Sequence, residues 1–88
     1  MAEYRLLVKT SAAKEIEAIG TKADRRRVAD RIGTLAQDPR GRGSEKLAGH
    51  DDRYRIRQGQ YRIVYLIDDK KREVTIFKVG HRKEVYRR

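Results

Sequence analysis

The run Tyr61-Arg62-Ile63-Val64-Tyr65-Leu66-Ile67 is mostly apolar, rich in β-branched and aromatic residues, and too short for a core helix, so it reads as a buried strand. Ahead of it, Tyr54 and Ile56 alternate with Arg53, Arg55 and Arg57, the period of a strand with one buried face, and Gln58-Gly59-Gln60 supplies the turn between the two. Asp68-Asp69-Lys70-Lys71 is a second polar turn, and Glu73-Val74-Thr75-Ile76-Phe77-Lys78-Val79 follows as another strand. Three consecutive hairpin-linked strands make an antiparallel meander. Whatever else the chain contains must cover one face of it.

The N-terminal half supplies that cover. Tyr4, Leu6 and Val8 alternate with Arg5, Leu7 and Lys9, which predicts a first strand over 3–9. Ser11 is placed to cap a helix over 11–19, whose Ala12, Ile16 and Ile19 share a face before Gly20 ends it. Thr21 followed by Asp24 resembles a capping box, and Val28, Ile32 and Leu35 line one face of a second helix over 22–37 that stops before Pro39. Arg40-Gly41-Arg42-Gly43-Ser44 is a loop. The order strand, helix, helix, three strands predicts an α+β fold with two N-terminal helices on one face of a small antiparallel sheet and an open basic face opposite. The closing GHRKEVYRR is too polar for a core element and is expected on the surface or across the sheet edge.

Composition narrows the partners. The 88 residues carry a formal charge of +10, with the excess leaning towards the C-terminal half, and one domain spanning 1–88 is expected. A polyanion is the default partner of so basic a chain, because each Lys or Arg set on a phosphate releases condensed counterions. There is no Cys, which excludes a disulfide framework and a nucleophilic thiol, and His50 and His81 have no metal-ligand spacing, so neither metal nor cofactor is expected. No apolar run approaches the length of a spanning helix, nor does the N-terminus resemble a signal peptide, and a cytoplasmic location is expected.

Arg53, Arg55 and Arg57 project from a single sheet face at period-two spacing. Two readings stand: a charged edge strand that discourages edge pairing, or a phosphate-binding face. Arg62 sharpens the choice. An arginine in an apolar strand is partly desolvated and needs an anion, either a phosphate or a carboxylate such as Glu45 or Glu84. After the last strand, Gly80-His81-Arg82-Lys83-Glu84-Val85-Tyr86 gathers groups able to position a phosphate, donate a proton and stack on a base. His50 reads as a surface turn residue.

KLAGHDDRYRIRQGQYRIVYLIDD followed by VTIFKVGHRKEVYRR resembles the RelE branch of the RelE/ParE toxin superfamily, and the resemblance runs over essentially the whole chain. It rests on Lys46, Leu47 and Gly49, the Y-R-I-R strand, the YRIVY strand and the terminal GHR…VY, in the family's order. It implies a RelE-like fold and a type II toxin that enters the A site of the 70S ribosome and cleaves mRNA there without a metal. It also implies a hetero-oligomer with an acidic RelB-like antitoxin that wraps the toxin. By the same resemblance Arg62 and Arg82 stabilise the transition state, and Tyr86 stacks on or orients the nucleotide with a share in proton transfer. Lys46, Arg53, Arg55, Arg57 and Lys83 are expected to contact RNA phosphates. Arg55 and Arg57 replace two lysines of well-known members and are no general base, since arginine does not give up its proton; His81 is a candidate for that transfer. ParE-like members share the fold but poison DNA gyrase, and generally lack the Arg and Tyr constellation. A non-catalytic RNA- or ribosome-binding module is the remaining alternative.

Overall fold

The computed structural model describes residues 3–49 and 52–81. Along the chain these form β1 (Arg5–Val8), α1 (Thr10–Glu17), α2 (Lys22–Thr34), β2 (Glu45–Lys46), β3 (Arg53–Gln58), β4 (Tyr61–Asp68) and β5 (Glu73–His81). The strands make one five-stranded sheet in the order β1-β5-β4-β3-β2. The meander β3-β4-β5 is antiparallel, as the alternation predicts, and Gln58 pairs with Tyr61 around a two-residue turn. Gly59 occupies the first turn position at φ 60°, where an L side chain would be strained.

Two sheet elements go beyond the sequence reading. β1 lies parallel to β5 as an edge strand, pairing Arg5 with Glu73 and Val8 with Ile76. β2 is a two-residue strand that sets Glu45 opposite Arg55 and Lys46 opposite Tyr54. Gly80 and His81 complete β5, opposite Arg62 and Tyr61, where the sequence suggested a polar tail beginning after the strand. Residues 82–88 lie outside the described part, as does His50.

The helix ends shift for physical reasons. The Lys9 N–H donates to the Ile76 carbonyl at 3.0 Å, so strand pairing continues to Lys9 and α1 starts directly behind it. The capping position therefore falls on Lys9, which offers no side-chain acceptor, and not on Ser11. At the other end, α1 stops at Glu17, yet Ile19 beyond it is still buried. Thr21 caps α2 as expected, accepting from the Asp24 N–H at 3.1 Å. Beyond Thr34 the chain tightens into three-residue turns through Gln37, which satisfies carbonyls that the helix leaves unpaired.

One sheet face carries Tyr54, Ile56, Ile63, Tyr65, Ile67, Val74, Ile76 and Val79 into a core with Ala12, Ile19, Val28, Ile32 and Leu35 from the helical layer. A bulge keeps that face apolar to the end of β5. Val64 pairs with Lys78 and Tyr65 with Ile76, leaving Phe77 as the extra residue, so core positions run Val74, Ile76 and then Val79. The side-chain carboxylate of Glu15 on α1 accepts from the Val79 N–H at 2.7 Å.

The loop ahead of β2 is pinned from below. Tyr65, its phenol pushed up to about 12 by burial, donates to the Pro39 carbonyl at 2.6 Å. Arg40 clamps both oxygens of Asp69 at 3.0 and 2.8 Å and donates to the Tyr54 hydroxyl at 3.0 Å, while Tyr4 donates to Asp69 at 2.7 Å. The hydrogen bonds from Arg40, then from Tyr4, hold the Asp69 carboxyl down at about 2. A folded-state pKa below the unfolded value of about 3.9 stabilises the fold above that value and loses its effect as pH falls through the lower one. Asp69→Asn should therefore lower the melting midpoint at pH 7 and flatten its decline between about pH 4 and pH 2. Superimposable midpoint-versus-pH curves for variant and wild type would show that the clamp contributes nothing.

Candidate nucleic-acid interface

The sheet face turned away from the helices carries the arginines. Directly opposed residues of an antiparallel pair share a face, so the register places Arg57 beside Arg62, Arg55 beside Val64 and Arg53 beside Leu66. Arg62 is 8% exposed, and it is the one charged residue buried among those described. Its guanidinium adds its field to that of Arg57 across the pair. Arg62, Arg57 and Arg55 line a cleft of about 180 Å³ with Glu45 and Gly43. Among the described residues, three arginines and one carboxylate line it, so the side-chain charge around it is net positive.

Among the described residues, Glu45 is the one acid lining that cleft. Its Oε1 accepts from Arg55 Nε at 3.0 Å and Nη2 at 2.8 Å, an alignment dictated by the Glu45–Arg55 register. Of the two carboxylates offered as alternatives to a phosphate for Arg62, Glu45 engages Arg55 and Glu84 lies outside the described residues. A two-residue strand has no pattern from which that register could be read.

Other expected contacts separate. Arg53 stays on the open face with its guanidinium 4.8 Å from the centre of the Phe77 ring. Lys46 pairs with Tyr54, a core-facing position, so β2 directs it to the opposite face from the cleft. His81 pairs with Tyr61 on the helix side of the sheet; the two rings meet edge to face at 5.9 Å and 79°. It borders a separate cavity with Glu15 and Ile19. The structure thus brings Arg55, Arg57 and Arg62 together and places His81 and Lys46 elsewhere, while Arg82, Lys83 and Tyr86 lie outside the described residues. The sequence places Phe77 in the last strand but gives no sign of its contact with Arg53, which depends on the bulge in the β4–β5 pairing, nor of the Glu15 contact with Val79, which joins positions distant along the chain.

Among the described residues, no cluster of His, Asp or Glu could hold a metal ion, and no helix is long and apolar enough to cross a membrane.

Comparison with known proteins agrees with this geometry. The profile of the ParE toxin family, toxins of type II toxin–antitoxin systems, matches residues 6–86. Toxin RelG of Mycobacterium tuberculosis is 31% identical over 88 residues, covering 97% of this chain and 98% of the relative. Among solved structures, the toxin–antitoxin complex RelBE2 of M. tuberculosis matches with a TM-score of 0.79 and 27% identity, over 93% of this chain and 94% of that one. The isolated E. coli RelE toxin matches with a TM-score of 0.76 and 32% identity, over 94% and 90% of the two chains. The archaeal RelE–RelB complex of Pyrococcus horikoshii gives 0.77 and 27%, over 91% and 96%. With two helices laid on one face of a mostly antiparallel sheet and an arginine-walled cleft on the other, the chain belongs to the RelE/ParE superfamily of type II toxin–antitoxin toxins.

Proposed function

We propose that this toxin is a ribosome-dependent mRNA endonuclease that cleaves the message in the ribosomal A site and so stops translation. The observation that carries the proposal is the buried guanidinium of Arg62 beside Arg57 and Arg55 in one cleft. In the proposed reaction the 2′-OH attacks the adjacent phosphorus and loses its proton, while the 5′-oxygen leaves and gains one. The products are a 2′,3′-cyclic phosphate and a free 5′-OH. Negative charge grows on the phosphate oxygens during this step, and fixed guanidinium groups aimed at them lower its barrier without a metal.

Arg62 is the central stabiliser, with Arg57 and Arg55 orienting the phosphate. Arg82 adds a second stabilising charge, Lys83 adds charge to the tail, and Tyr86 orients the nucleotide. His81 packs on Tyr61 on the far side of the sheet from the arginine cleft, and Tyr86 takes a share in proton transfer beside its stacking role. The structural relatives that are RelB–RelE complexes support an acidic RelB-like antitoxin as the protein partner. A ribosomal, cytoplasmic site of action follows from the same reading.

Primer extension on messages from cells induced for the toxin should show new 5′ ends within translated codons. Deleting one transition-state donor costs roughly 10² to 10³ in rate, so Arg82→Ala should lower cleavage to that extent. Tyr86→Phe should keep more activity than Tyr86→Ala, because stacking needs only the ring; equal and complete loss in both would make the hydroxyl the proton-transfer group. The match to the ParE family profile favours a second reading, gyrase inhibition. Inhibited supercoiling by purified gyrase, with no new 5′ ends, would establish that reading and remove the nuclease.

A further inference from the structure

The cations of the open face differ in how they are held. Arg5 is bridged to Glu73, and Arg55 donates to Glu45, so a carboxylate offsets each charge. Lys9 and Arg53 are held otherwise. The Lys9 ammonium and the Arg53 guanidinium each lie 4.8 Å from the centre of the Phe77 ring, and among the described residues neither takes part in an ion pair. An aromatic ring orders a cation through its quadrupole and leaves the net charge in place. Phe77 is the extra residue of the β5 bulge, Lys9 follows β1, and Arg53 opens β3, so the three span the sheet from its β1 edge across β4.

We propose that Lys9 and Arg53, ordered by Phe77, form a second phosphate-binding position for the messenger strand whose scissile phosphate occupies the Arg62 cleft. This rests on the nuclease reading above. Arg53 and Arg57 stand four residues apart on one strand, and hence about 13 Å apart at the rise of a β-strand, on the face that holds the cleft. A single RNA strand entering the cleft therefore reaches the pair without changing faces. Two ordered cations held at one apolar ring suit a sugar–phosphate backbone, whose phosphate the two charges attract. The position grips the strand away from the cleaved bond, so it acts on affinity more than on the chemical step.

The test uses 70S ribosomes programmed with a message whose A-site codon carries 2′-deoxy sugars, which bars the attack and leaves binding to be measured. Each phosphate contact contributes about 0.7 to 0.9 to the slope of log affinity against log salt. Lys9→Gln should lose about that much slope, so that its affinity falls about three-fold less than wild type between 50 and 200 mM salt. Phe77→Leu keeps both charges but not the ring, and should weaken binding several-fold with most of the slope retained. With a cleavable message, both variants should raise KM more than they lower kcat, and their thermal midpoints report whether they fold.

Wild-type slope and affinity in Lys9→Gln overturn the second position while leaving the nuclease reading intact. An unaltered deficit on a message truncated at the A-site codon assigns the pair to ribosomal RNA and overturns the messenger proposal. A deficit seen only for the acidic antitoxin assigns it to a protein partner and does likewise. Wild-type protein that binds no programmed ribosome brings down the nuclease reading, and this proposal with it.

Discussion

Arg62→Ala should cut mRNA cleavage by about 10² to 10³ while leaving a cooperatively folding protein, because its head group is placed for charge and not for core packing. The residue sits on the face away from the helices, outside the cluster that holds Tyr65 to Val28 and Ile32. Removing it deletes one of two directly opposed cations, which relieves repulsion with Arg57 and costs the packing of its aliphatic stem. Those effects oppose one another in stability, whereas the transition state loses a donor outright. Arg62→Lys separates charge from geometry: an ammonium keeps the charge but not the planar fork, so cleavage should fall between that of wild type and alanine variant. Single-turnover cleavage on programmed ribosomes measures the effect. An alanine variant that cleaves at the wild-type rate removes Arg62 from the site, and one without a cooperative melt makes it a structural ion-pair residue.

The parts of this fold legible in sequence are those specified by neighbours along the chain. The β3–β4 hairpin follows from alternation around Gly59, the start of α2 from Thr21 with Asp24, and the buried face of α2 from Val28, Ile32 and Leu35. Features created by distant pairing were not legible. β1 meets β5 across a separation of 68 residues at Arg5 and Glu73, and that parallel ladder, through Lys9, also moves the start of α1. The bulge at Phe77 resets which residues of β5 face the core, and the register of β2 gives Glu45 to Arg55 instead of Arg62. At the site, the arginines of adjacent strands could be grouped from periodicity. His81 could not be placed, because its face depends on a bulge four residues earlier.

Salt should act far more on the association of toxin and antitoxin than on their dissociation. A toxin of charge +10 attracts an acidic partner over about 8–10 Å at physiological salt, and such steering raises association rates by 10- to 10³-fold at low ionic strength. We expect the antitoxin segment to order on binding, with apolar anchors near the helices and acidic residues reaching the Arg55, Arg57 and Arg62 face or the tail around Tyr86. Once seated, those anchors are out of water and insensitive to screening, so the dissociation rate should stay nearly constant while the association rate drops by up to three orders of magnitude. Stopped-flow mixing between low and high ionic strength gives both constants. A dissociation rate that climbs as steeply as the association rate falls would mean that surface charge alone holds the complex, and apolar wrapping would be wrong.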